Sequence, residues 1–203
     1  FNICLEIPVL EIHSRMSQAS RTRASNTFRS SKQSILFSSD ISARGVDYPD
    51  VSLVIQYGAP SSEDSYIHRI GRTGRAGSAG RGLLVLLPFE RRQTDRFRKR
   101  GIQIEVDESA TQESDMDNKE DIVRVINSAQ LQVRSGHAIL TPNAEAASRA
   151  FLAYYIANSE GLKPAAILEY AQEFAQCTGL LEMPAMESKL AARLGLEGLL
   201  KVE

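Results

Sequence analysis

The chain has no tryptophan and only two cysteines, Cys4 and Cys177, in 203 residues. They stand far apart and outside any C-x-x-C or Cys/His ligand spacing. That excludes a disulfide scaffold or a zinc ribbon, and free buried thiols of a reducing compartment are expected instead. No apolar run approaches the roughly 20 residues that span a bilayer, so no membrane partner is expected. Net charge is also scarce, at −1. No G-x-x-x-x-G-K-[ST] run occurs, and the glycine-rich GRTGRAGSAGRG at 71–82 lacks the lysine of a phosphate-cradling loop. The opening FNICLEIPVLEIH has neither an initiator methionine nor a targeting pattern, so any presequence would lie upstream.

What is present is divided. Through Val106 there are 16 Lys and Arg against 10 Asp and Glu; thereafter there are 8 against 15. The basic part suits nucleic acid, whose backbone supplies most nonspecific affinity through counterion release. The acidic part would need a local basic patch, shape or stacking to touch RNA, or serves packing alone. Ordinary apolar and charged fractions, 42% and 24%, predict a soluble globular protein with one ample core or two small ones.

In the first part short apolar runs alternate with amphipathic ones. Val9–Ile12, Ile35–Phe37, Val51–Tyr57 and Leu83–Leu87 read as strands covered on both faces, with Ile102–Val106 as a last strand. Ser17–Arg29, Ser62–Arg69 and Phe89–Lys99 read as helices, with Ser17 and Ser61 or Ser62 as N-caps. The alternation implies a parallel α/β sheet with right-handed crossovers. DESATQESDMDNKED at 107–121 is acidic and nearly free of large apolar residues, and reads as a linker; its resemblance to a calcium loop fails for want of the glycine and closing glutamate. From Ile122 the pattern is helical: Ile122–Val133, then Asn143–Asn158 capped by Thr141 and Pro142 and ended by Gly161. A third helix runs from Pro164 to Cys177 and stops at Gly179, and a fourth opens at Pro184 and runs to Leu194. Tyr154, Tyr155 and Tyr170 lie at helical spacing, which favours core over base stacking.

The chemistry concentrates in YIHRIGRTGRAG, Tyr66 to Gly77, which holds Arg69, Arg72, Arg75 and His68 among three glycines. Arginine keeps its charge and presents a planar fork to phosphate, while glycine lets backbone approach a ligand. Together with HSRMSQASRTRASNTFR (13–29) and SSDISARGVDYPDV (38–51), which precede it in that order, the segment resembles the DEAD-box RNA helicases, the three matching their Q-x-x-R region, motif V and motif VI. The resemblance covers residues 1–106. It implies the second RecA-like domain of that family, lacking its first strand, followed by a linker at 107–121 and an α-helical extension at 122–203. The extension and SARGVDYPDV are similar to fungal mitochondrial RNA chaperones of the family, which favours a mitochondrial address over a nuclear or cytoplasmic one.

The resemblance also implies roles. Arg75 would be an arginine finger and Arg72 its companion, both on the γ-phosphate of ATP. His68 and Arg69 would couple the cleft to the other domain. Asp47 would accept from the ribose, with Gly45 allowing close approach. Ser14, Gln18, Arg21, Ser39 and Asp40 would hold the RNA sugar-phosphate backbone. Phe28 would seat its helix on the sheet. Two positions depart from the family: Ser14 stands where glycine is common, and Gly58 where aspartate is common. With no Walker A and no D-E-A-D sequence, the Mg2+ ligands must come from outside the chain, its partner being the N-terminal RecA-like domain of the same protein. The chain alone should not hydrolyse ATP. The rival readings are a noncatalytic RNA-binding module and a protein-interaction adaptor.

Overall fold

The computed structural model describes residues 7–40, 48, 50–75, 77, 79–107, 119–159 and 161–201, the side chain of Lys119 excepted. The chain divides into two compact units, Phe1–Glu108 and Ser109–Glu203.

The first unit contains two β-α-β crossovers. Strand β1 (Val9–Ile12) leads through helix α1 (Gln18–Ser30) to β2 (Ile35–Ser38), which pairs with it in parallel, Val9 opposite Ile35 and Ile12 opposite Ser38. Strand β3 (Leu53–Tyr57) leads through α2 (Glu63–Ile70) to β4 (Arg81–Val85), again parallel, Leu53 opposite Arg81. Both expected caps form: the Ser17 and Ser62 hydroxyls accept the N–H groups of Ser20 and Ser65 at 3.2 and 3.1 Å. Glu63 and Asp64 in the first turn of α2 and His68 and Arg69 in its last suit the helix dipole. The half-buried Phe28 ring meets edge-on, at 5.1 Å, that of Tyr48, a buried residue outside the described strands.

Four expectations are corrected here. The described strands form two separate two-stranded sheets rather than one. They are not covered on both faces: on β3, Gln56 is buried while Ile55 and Tyr57 are 59% and 62% exposed. Residues 102–106 do not form a strand. The helix expected at 89–99 is a 3-10 turn (Pro88–Gln93) running into α3 (Thr94–Lys99). Its cause is Glu90, 1% exposed, whose carboxylate accepts the N–H groups of Leu87 and Ala59 at 2.8 Å each and so tightens the turn. Beyond it Phe97 is fully buried against the Tyr66 ring, 5.1 Å away, and burial raises the Tyr66 hydroxyl above its ordinary pKa.

The second unit is helical: α4 (Lys119–Arg134), α5 (Leu140–Asn158), α6 (Pro164–Cys177) and α7 (Ser188–Arg193). Leu152, Ile167, Ala171, Met186 and Leu196 are buried, and Phe151 stacks on Phe174 at 4.5 Å. Pro164 is the first residue of α6. Gly179, at φ 101°, closes that helix in a Schellman motif, with Leu180 N–H on Ala175 O and Gly179 N–H on Gln176 O, both 3.0 Å. Thr141 is not the cap of α5. The helix starts at Leu140, where the His137 Nδ1 accepts the N–H groups of Ile139 and Leu140, while the Thr141 hydroxyl donates to Val133 O. Pro184 opens no helix; α7 begins at Ser188. Tyr155 is buried, which makes it core, whereas Tyr154 is exposed.

Candidate phosphate-binding site

The last turn of α2 and the residues after it present the arginines at intervals of three. Arg72 Nε donates to His68 O at 3.2 Å and Arg75 Nε to Gly71 O at 2.7 Å. Each serves a carbonyl that the end of a helix leaves without an intrahelical donor, and this aims its guanidinium. The Thr73 hydroxyl donates to Val51 O, tying the turn to the segment before β3. Between them lies a cleft of about 200 Å3 lined by Asp50, Val51, Ser52, Arg72, Thr73, Gly74, Arg75 and Ala79. Two guanidiniums against one carboxylate make the cleft cationic, which fits a phosphate-bearing ligand. His68 supplies its backbone carbonyl to this arrangement; its imidazole is on an exposed residue outside the cleft lining.

The other expected residues gather where β1 and β2 end. Ser14 is exposed in the turn after β1, and Gln18 opens α1. Arg21 stands one turn further on, its Nε enclosed and without a hydrogen-bond partner among the described residues. Ser39 N–H donates to Ile12 O at 3.1 Å. The Asp40 carboxylate is engaged from across the unit: Arg69 Nε and Nη2 reach its two oxygens at 2.6 and 2.9 Å. Asp40 therefore links the β2 end to the arginine-bearing helix. Gly45 and Asp47 lie outside the described residues. No cluster of His, Cys, Asp and Glu able to hold a metal ion occurs among the described residues.

Gly58 has a backbone reason to be glycine: its φ is 80°, in the left-handed region, and its N–H donates to Val85 O at 2.9 Å. Sequence reasoning missed Thr73, Asp50 and Glu90. Thr73 lies inside the motif and was open to notice; a single buried glutamate such as Glu90 leaves no periodic signal.

Residues 2–77 match the helicase conserved C-terminal domain. The chain is 37% identical over 193 residues to DEAD-box ATP-dependent RNA helicase 25 of Oryza sativa subsp. japonica, an alignment covering 95% of this chain and 30% of that protein. It is 40% identical over 194 residues to DEAD-box ATP-dependent RNA helicase 25 of Arabidopsis thaliana, covering 95% and 32%. The chain thus spans about a third of the length of these curated relatives. Among solved structures, it resembles Mss116p DEAD-box helicase domain 2 bound to an RNA duplex with a TM-score of 0.57 and 25% identity, covering 98% of this chain and 76% of that one. It resembles DEAD-box helicase Mss116 bound to ssRNA and UDP-BeF with a TM-score of 0.58 and 25% identity, covering 95% and 37%. No helix among the described residues is long and apolar enough to cross a membrane. Motifs, parallel α/β units and homology along nearly the whole chain agree, and the chain belongs to the DEAD-box RNA helicase family, where it corresponds to the C-terminal RecA-like domain with the helical region that follows.

Proposed function

We propose that this chain is the finger-bearing part of an ATP-dependent RNA helicase or RNA chaperone that locally separates structured RNA. The carrying observation is that Arg72 and Arg75 line one cationic cleft, each aimed by its Nε on a helix-end carbonyl. Bound ATP supplies the phosphoryl group to be transferred. The two arginines neutralise the charge on its terminal oxygens, a contribution of about 10³ to 10⁵ in rate for an arginine finger. By its motif position Asp47 accepts from the ribose, and Gly45 leaves room for it. Ser14, Gln18, Arg21 and Ser39 hold the RNA backbone, which positions a strand without reading its sequence. Asp40, through Arg69, connects the RNA end of the unit to the cleft, with His68 beside it.

In this reading residues 1–106 are the RecA-like domain, 107–121 a linker and 122–203 the extension. The P-loop and Mg2+ ligands belong to an N-terminal RecA-like partner domain, and the compartment is mitochondrial, by likeness to the fungal chaperones. The test is RNA-stimulated ATP hydrolysis by the full-length parent, wild type against Arg75→Ala. We expect turnover to fall by at least about 10³-fold with RNA still bound. Unchanged hydrolysis in the variant would discard the finger and leave a noncatalytic RNA-binding module as the better account.

A further inference from the structure

We propose that Thr73 is a positioning residue for the arginine turn: its hydroxyl holds Arg72 and Arg75 in register with the cleft wall at 50–52, so that both guanidiniums are aimed before a phosphate arrives. It rests on the finger reading above and adds a residue to which the family resemblance gave no role. A threonine hydroxyl near a helix end ordinarily bonds back to a carbonyl three or four residues earlier, a local contact with no wider consequence. Thr94 and Thr178 do this, donating to Arg91 O and Ala175 O at 2.7 Å each. Thr73 does not. Its backbone N–H goes to Ile70 O at 3.1 Å, but its hydroxyl reaches 22 positions back, to Val51 O.

That carbonyl belongs to a fastened segment. The next one, Ser52 O, accepts the N–H of Arg81 at 3.0 Å, where β4 begins. Asp50, just before, is the one non-glycine among the described residues in the left-handed region, at φ 58°, and gives the wall a defined bend into β3. The returning chain also crowds the hydroxyl, since a Cβ on Gly80 would collide with Thr73 Oγ1 and Gly74 N. The arginine turn itself is soft: Gly74, between Thr73 and Arg75, stands at φ 65° and adds no stiffness. The Nε bonds of Arg72 and Arg75 refer each guanidinium to the end of α2. The Thr73 bond refers the same turn to the opposite wall, and the two references together place the guanidiniums within the cleft. An arginine finger acts on charge that builds in the transition state, where a displacement of about 1 Å can cost about 10²-fold. Loss of the hydroxyl should therefore tell on kcat rather than on KM.

The test uses the full-length parent with Thr73→Val, which removes the hydroxyl at nearly constant volume, and Thr73→Ser, which keeps it, each alone and with Arg75→Ala. We expect Thr73→Val to lower kcat for RNA-stimulated ATP hydrolysis about 10- to 100-fold and to move KM for ATP less than about threefold. Thr73→Ser should stay within about threefold of wild type in kcat. Beside Arg75→Ala the penalty of the valine should shrink below about threefold, because a residue that acts through the arginine loses its effect with it. The same penalty in both backgrounds, or a serine no better than valine, would make Thr73 a structural residue only and overturn the proposal. A second readout needs no turnover. In 1H–15N spectra of the 203-residue chain, the Nε–H signals of Arg72 and Arg75 should shift in Thr73→Val while that of Arg69, held by Asp40, stays in place; unmoved Arg72 and Arg75 signals would likewise overturn it. Should the valine variant fail to fold, judged by circular dichroism and urea unfolding, Thr73→Ala takes its place with the same expectations. Shifted signals beside a parent whose hydrolysis ignores Arg75→Ala would keep the Thr73 register and discard the finger reading. Hydrolysis lost in Arg75→Ala but untouched in Thr73→Val would keep the finger and discard the role of Thr73.

Discussion

Asp40 and Arg69 stand 29 positions apart, yet the carboxylate takes two N–H groups of the guanidinium in the fork geometry that arginine makes best. Arg69 is largely covered and Asp40 more than half exposed, so the pair adds no more than about 1 kcal/mol to stability. Its value is positional: it fixes the helix of the arginines relative to the end of β2. Asp40→Ala should therefore shift urea-unfolding stability by less than about 1 kcal/mol while lowering RNA-stimulated hydrolysis in the full-length parent by about tenfold or more. Full activity in that variant would sink the linking role. Individual residues were legible unevenly. Arg72 and Arg75 stood out because arginine among glycines suits a phosphate ligand, and the structure brings both onto one cleft. The partner of Asp40 could not, since a contact across 29 residues leaves no local pattern, and the imidazole of His68 stands outside the cleft that its carbonyl helps to frame.

Among the elements, the return from the arginine turn into β4 sets the tightest tolerance. A Cβ on Gly80 would lie 2.3 Å from both Gly74 N and Thr73 Oγ1, contacts that real Cβ atoms essentially never make. Because one of these is backbone, it cannot swing aside. Gly80→Ala should cost about 1–3 kcal/mol in chemical unfolding and displace the turn that aims Arg72 and Arg75; a wild-type midpoint would show that the close approach is absent in solution. The β-α-β alternation, the Ser17 and Ser62 caps, Pro164 and Gly179 were legible because each acts through its own few residues. What failed depended on distant partners. Residues 102–106 are apolar enough for a strand, but without a ladder to join they remain irregular. The apolar strands suggested cover on both faces, yet cover must come from another layer, which their own sequence does not specify. The start of α5 was misread because His137, rather than a serine or threonine, accepts its first N–H groups.

At the scale of the whole chain, two cores lie on either side of an acidic segment, one built around Phe97 and the other around Leu152, both fully buried. The charge division runs the same way, basic through Val106 and acidic beyond, so the phosphate-facing groups proposed above all belong to the first unit. Each core is small, and removing its central side chain should cost several kcal/mol: about 3–5 for Phe97→Ala and 2–5 for Leu152→Ala. If each core holds its own unit, these losses stay local. Native-state hydrogen exchange on the 203-residue chain should then show amide protection falling in β3, α2 and α3 for Phe97→Ala while α5 and α6 keep theirs, and the reverse for Leu152→Ala. Protection lost throughout the chain in either variant would mean one cooperative unit, and the acidic second part would have to be counted as support for the phosphate site rather than as a separate body beside it.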